Sequence, residues 1–232
     1  AGLTAPEFAV LLAYTKLTLE RRLLETDLPD DPFLARQLAA YFPSALRSRF
    51  PAEIEQHRLR REIVATSVVS EMVDHQGITY AYRLTDETGA HPADTARAFV
   101  VAREVFDMPG LWDAVRALDN VVDAATQTRL LLEGRKLVER STRWMLRHRR
   151  PPLDVTATVD RLTAGVHVVA GLVPGVLPVD AQAVHAAVAA SFVAYGVPVP
   201  LAGRVAGFDE LFSALDIVEV AVLTHDHPVE QV

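Results

Sequence analysis

Apolar side chains recur at three- and four-residue intervals along most of the chain, the spacing that lines one face of an α-helix. The first such stretch opens on Thr4-Ala5-Pro6-Glu7. This is a capping box in which the Thr hydroxyl can accept from the Glu7 amide, with Pro in the first turn, where no amide partner is needed. Phe8, Leu11, Leu12, Thr15, Leu19 and Leu23 then form a stripe over about five turns. Leu28-Pro29-Asp30-Asp31-Pro32 stops this helix and caps a second, which runs toward Tyr41 and is ended by Pro43. These two are expected to form an antiparallel hairpin. From Pro51 to Gln76 the pattern predicts one helix, with Gly77 as its left-handed C-cap. Leu59, Ile63, Thr66, Val69 and Val73 share one of its rows, and Val64, Val68 and Met72 the next.

A short helix over residues 78–88 ends at Gly89, and His91-Pro92-Ala93-Asp94 starts another whose Phe99, Ala102, Val105 and Phe106 face inward. Met108-Pro109-Gly110 is expected to interrupt it before a short helix at residues 111–118. The longest predicted helix covers residues 120–149, with Leu130, Gly134, Leu137, Ser141 and Trp144 in one row whose small residues admit a close neighbour. After Arg150-Pro151-Pro152 the sequence turns to Ala and Val, and helices are expected at residues 154–172, 180–195 and 208–223. Valine-rich stretches also suit strands, yet Pro174, Pro178, Pro198 and Pro200 leave little room for a ladder, and no Asn-Gly or Asp-Gly hairpin occurs. The expected fold is all-α, a multi-helix bundle of antiparallel helices, in two regions, 1–150 and 151–232.

Composition narrows the function. Half the residues are hydrophobic, enough for a core, and the absence of cysteine excludes disulfides and thiolate zinc sites and favours a reducing compartment such as the cytoplasm. The most apolar segment, residues 166–179, is broken by two prolines and carries His167, so no membrane span is expected. The net charge of -7 falls wholly after Pro151, where nine acidic residues face only Arg161 and Arg204. A net acidic chain repels phosphate backbones, which disfavours nucleic acid as a partner. The opening residues lack an initiator Met and suggest a piece of a longer chain.

The common catalytic signatures are missing. No two of the 11 glycines are separated by one residue, so the G-x-G of a dinucleotide turn is absent, as are the phosphate-binding G-x-x-x-x-G-K loop and the G-x-S-x-G elbow. Glu71 and His75 stand at i, i+4 without a second copy, which fits a solvated helix end better than a di-iron pair. His225-Asp226-His227 suits a surface turn as well as a metal. Thr88-Gly89-Ala90-His91-Pro92 is echoed by Thr224-His225-Asp226-His227-Pro228, which reads as a helix-start dipeptide used twice or as an internal repeat.

Two arginine clusters, at residues 57–61 and 143–150, could serve an anion or nucleic-acid site, with Trp144 as a stacking platform in the second, or an interface. The plainer reading pairs Arg58 with Glu62 at i+4 and places Arg147, Arg149 and Arg150 at a helix C-terminus. No residue is assigned a catalytic, cofactor-binding or metal-ligating role.

The segment Leu3-Thr4-Ala5-Pro6-Glu7-Phe8-Ala9-Val10-Leu11-Leu12-Ala13-Tyr14-Thr15-Lys16 strongly resembles the one that follows the catalytic domain in large bacterial NAD-specific glutamate dehydrogenases. Later blocks agree in order, among them Tyr41-Phe42-Pro43, His57-Arg58-Leu59-Arg60-Arg61-Glu62-Ile63, Ala102-Arg103-Glu104-Val105-Phe106 and Ala214-Leu215-Asp216-Ile217-Val218-Glu219. The resemblance spans nearly the whole chain and is least distinctive over residues 155–203.

It implies a parent enzyme, a large homo-oligomer, that deaminates L-glutamate oxidatively to 2-oxoglutarate and ammonium with NAD. The cofactor and catalytic residues would lie upstream, and the family pattern continues past Val232. This chain alone is then expected to be an inactive helical region that packs on its own catalytic domain or on neighbouring subunits, with a regulatory protein as a further candidate partner. The alternative is a free-standing helical adaptor.

Overall fold

In the computed structural model, which describes residues 2–226, fourteen α-helices and two 3-10 turns make an all-α, multi-helix bundle, and no strand occurs among the described residues. The chain sorts into two compact units, one of Ala1–Val100 with Met145–Val155 and the other of Val101–Trp144 with Thr156–Val232.

The first unit is built around α5 (Arg60–Gln76), whose Ile63, Val64, Val68, Val69, Met72 and Val73 are buried, while Thr66, expected on the same row, is exposed. Against α5 pack α1 (Ala5–Leu24) and α2 (Ala35–Tyr41), together with the 3-10 turn Leu28–Asp30. Each fully buried aliphatic side chain stabilises such a core by about 1.5–3 kcal/mol.

The expected hairpin of the first two helices is therefore not the main contact. Leu28–Asp30 and Pro32–Leu34 form successive 3-10 turns between them, and each helix takes α5 as its partner instead. At the start of α1 the capping box closes through Glu7. Its Oε2 accepts from the Thr4 amide at 2.8 Å and from the Thr4 hydroxyl at 2.7 Å, which holds the carboxyl below its usual range.

The predicted helix over residues 51–76 is divided. After α3 (Ser44–Arg49) comes α4 (Pro51–Glu55), and the chain then breaks at residues 56–59 before α5. His57 Nδ1 accepts from the Leu59 amide at 3.2 Å, fixing the non-helical corner and leaving Leu59 exposed. Gly77 has φ 88° and ψ 163°, so the positive φ is as expected but the residue is extended rather than left-handed helical, a conformation open almost only to glycine. In α6 (Tyr80–Thr88) and α7 (Pro92–Val105) Tyr80 and Phe99 are fully buried and meet edge to face at 6.3 Å.

Arg97, also buried, donates to Asp27 Oδ1 at 2.8 Å. This bond holds the Asp27 carboxyl below the ordinary range. The pair's contribution is complete above the normal carboxylate pKa and is lost as pH falls through the lowered one.

In the second unit α8 (Met108–Arg116) starts three residues earlier than expected. The break falls at Phe106–Asp107, and Asp107, at φ 47°, caps the new helix by accepting from the Gly110 amide at 3.2 Å. Pro109 thus lies in a first turn rather than at an interruption. In α9 (Ala124–His148) the whole predicted row from Leu130 to Trp144 is buried, and a Cβ on Gly134 would stand 2.6 Å from Leu111 Cδ2 of α8.

Next come α10 (Val155–Val176), α11 (Val179–Val193), α12 (Val199–Ala206), α13 (Phe208–Leu211) and α14 (Ala214–Asp226). The sequence reading missed α12. Pro198 and Pro200 were expected to break structure, but Pro198 is the N-cap and Pro200 lies in the first turn. α10 and α14 are clamped by Arg161, whose Nε and Nη2 donate to the two carboxylate oxygens of Glu219 at 3.2 and 3.3 Å. Between the same helices Gly165 lets Val218 approach so closely that a Cβ would stand 2.6 Å from its Cγ2.

Candidate functional site

The arginine clusters resolve mostly into structural bonds. Arg61 Nη2 donates to the carbonyl oxygens of Leu24 and Thr26, each at 2.9 Å, and Nη1 pairs with Asp30, to which Arg60 also reaches at 3.3 Å. The guanidinium thereby satisfies carbonyls that the end of α1 leaves without helical partners. Arg58 precedes α5, so the i,i+4 geometry expected between it and Glu62 does not arise.

In the second cluster Arg143 pairs with Glu139 at 3.1 Å, and Arg147 and His148 occupy the last turn of α9, where cations complement the helix dipole. Trp144 is 7% exposed and donates from Nε1 to Asp216 Oδ1 at 2.8 Å, which removes it as a stacking platform. An indole packed on its faces offers no surface to a base.

Among the described residues no candidate metal group is assembled. On α5 Asp74 pairs with Lys16 at 2.8 Å, and Glu71 accepts from Gln37 at 3.3 Å. No group of three or more His, Asp or Glu positioned for a metal occurs among the described residues. The side chains of His225 and Asp226, with His227 and the rest of the echoed segment to Glu230, lie outside the described residues. No described helix is long and apolar enough to cross a membrane.

The feature that stands out is apolar surface left facing water. In α1 only the second half is covered. Thr15, Leu19 and Leu23 are buried, whereas Phe8 and Leu11, expected in the same buried stripe, are exposed, because α1 meets its core partner only along its C-terminal turns. Val10, Tyr14 and Leu17 recur at four and three residues and add a second exposed row, with Tyr14 66% accessible.

In the other unit Val168, Leu172 and Val176 form an i, i+4, i+8 stripe along α10, Val168 and Val176 being 63% and 67% exposed. On α11 Val184 and Val188 are exposed too. This helix has no polar face, since Asp180 and Ser191 fall on one side and Gln182 and His185 on the other. No Asp, Glu, Lys or Arg occurs from Leu162 to Val179, so the α10 stripe has no charged neighbours along its own helix.

An isolated apolar residue on a surface is ordinary, but a repeated stripe marks an interaction site. A helix that gathers no polar face is normally one that is enclosed.

Comparison with known proteins gives one consistent match. The family described as Glutamate dehydrogenase, C-terminal, matches residues 1–232. The NAD-specific glutamate dehydrogenase of Mycobacterium tuberculosis is 41% identical over 217 residues, covering 94% of this chain and 13% of that protein. Its namesakes from Halomonas elongata and Pseudomonas aeruginosa are 39% and 35% identical, over 98% and 99% of this chain and 14% of each relative. The chain thus spans about one seventh of the length of the curated relatives it matches.

Proposed function

This chain belongs to the glutamate dehydrogenase C-terminal family, and from that membership we propose that it is the non-catalytic, helical C-terminal domain of a cytoplasmic NAD-dependent glutamate dehydrogenase. The parent reaction is the oxidative deamination of L-glutamate to 2-oxoglutarate and ammonium with reduction of NAD. The domain's part is to pack on the enzyme's own catalytic region or on a neighbouring subunit and stabilise the homo-oligomer.

One observation carries this reading: the valine stripes of α10 and α11 remain in water while the relatives supply about six times as much further polypeptide. A free-standing adaptor would present a rim of charge around such a patch, as soluble interfaces do. Here the α10 stripe lies in a segment free of Asp, Glu, Lys and Arg. Surface of that kind is what a permanently covered face looks like.

The test uses the full-length enzyme carrying Val184→Glu and Val188→Glu. Burying two carboxylates against apolar surface weakens the contact by roughly 100-fold or more, about 2.7 kcal/mol, and the oligomer dissociates or loses activity, as read by light scattering and NADH production. The same pair in the 232-residue chain leaves its helical circular dichroism unchanged, because both positions already face water. An intact, fully active oligomer refutes the packing role. NAD-dependent turnover of glutamate by the 232-residue chain alone refutes the non-catalytic one.

A further inference from the structure

Within the second unit a half-open cavity of about 290 Å³ lies among the end of α7, α10, α11, α12 and α13. Taking about 30 Å³ for each water-sized portion, it holds a molecule of roughly ten non-hydrogen atoms. Its walls are apolar, from Phe106, Val166, Val173 and Leu211, and its polar groups are few: Arg204, His167, His185 and Asp107. Such a mixture, mostly apolar with a few oriented polar groups, is characteristic of small-molecule sites.

The guanidinium of Arg204 is fixed before any ligand arrives. Nη2 donates to the carbonyl oxygens of Phe106 at 3.0 Å and Asp107 at 2.6 Å and stands 3.3 Å from Asp107 Oδ2. Among the described residues these contacts all use Nη2, so Nε and Nη1 keep their donors, which point to different sides of the guanidinium and can each meet one carboxylate oxygen. His167 adds an imidazole with no partner among the described residues. His185 Nε2 is 3.2 Å from the carbonyl oxygen of Gly203, which requires the proton on Nε2 and leaves Nδ1 as its remaining polar atom.

The two glycines in the lining keep the space open. Gly203 lies inside α12, where glycine costs about 1 kcal/mol relative to alanine, yet nothing stands within 4 Å of the Cβ it lacks. At Gly207 a Cβ would meet only ordinary contacts, 3.6 Å from His185 Nε2 and 3.6 Å from Val173 Cγ1. Packing within the protein therefore does not demand glycine at either position.

We propose that this cavity binds a small organic anion, a carboxylate on a short apolar body of about four to six carbons, with the carboxylate on Arg204 and the body against Val166, Val173 and Leu211. Apolar walls select against inorganic phosphate, and an amine meets in Asp107 a carboxylate that Arg204 already engages at 3.3 Å. The site is independent of the packing role proposed above, since its lining does not include Val168, Leu172 or Val176 of the exposed stripe.

Ligand-detected NMR titration of the 232-residue chain with 4-methylpentanoate tests it, with inorganic phosphate and 4-methylpentan-1-amine as comparison probes. Saturable binding of the acid is expected with a Kd of about 1 mM or below, at least tenfold tighter than either comparison probe. Arg204→Gln should abolish it. Because that change also unties the Phe106–Asp107 corner, Gly203→Leu is the second variant. Nothing stands within 4 Å of the Cβ it adds, so its four carbons occupy the cavity without a clash, and binding weakens at least tenfold while the melting temperature holds or rises. Absence of saturation, phosphate or amine binding as tightly as the acid, or a Gly203→Leu chain that binds like the wild type each overturns the assignment.

Discussion

Trp144→Ala lowers the stability of the chain by about 3–5 kcal/mol, the range for removing a large aromatic side chain from a core. The indole is 7% exposed, so truncation opens a void, and it also removes the bond that Nε1 donates to Asp216 Oδ1 at 2.8 Å. Trp144→Phe separates the two contributions. It keeps most of the ring and loses the hydrogen bond, for a cost of about 1–2 kcal/mol. Urea denaturation followed by circular dichroism measures both, and the fluorescence of Trp112, itself buried, reports on the same unfolding. A loss below about 1 kcal/mol for the alanine variant would show that the indole is not packed as described.

Gly165→Ala is the second large effect and runs against the usual gain from replacing a helical glycine. Alanine is favoured over glycine inside a helix by about 1 kcal/mol. Here the new Cβ meets Val218 at three atoms, with Cγ2 at 2.6 Å, Cγ1 at 2.9 Å and Cβ at 3.3 Å. A β-branched side chain has little freedom to turn aside, so α10 and α14 must separate and strain the Arg161–Glu219 clamp. Overpacking of this sort costs about 1–3 kcal/mol, which exceeds the propensity gain. Adding Val218→Ala makes room and restores most of the loss. Gly171→Ala, in the same helix with nothing within 4 Å, is the control and raises stability by about 0.5–1 kcal/mol. If both glycine variants shift the melting temperature upward, the two helices are not in close contact.

Two helix starts were legible in the sequence because their signals are chemically local. Thr4 with Glu7, and His91 before Pro92, stand within two residues of observed N-termini. The small-residue row of α9 was also legible, since one face of a long helix is determined by its own period. What periodicity lacks is the identity of the partner. The stripe of α1 is continuous from Phe8 to Leu23, but nothing within it says that only its second half is covered, or that α5 rather than α2 does the covering.

Residues with two readings caused the other misses. Proline ends one helix and starts the next, so Pro198 and Pro200 concealed α12. Trp144 belonged both to a buried row and to an arginine cluster, and the row, which expresses the larger free energy, decided its place. The exposed faces left a partial trace: Val10, Tyr14 and Leu17 are apolar residues off the expected core stripe of α1.

The near absence of charge from α11, where Asp180 is the one ionised carboxylate, has a thermodynamic corollary. Attachment through such a helix draws on released hydration water rather than on ion pairs, so it carries a negative heat-capacity change and little sensitivity to salt. Its grip slackens on chilling. An assembly held this way comes apart in the cold room before it comes apart in brine.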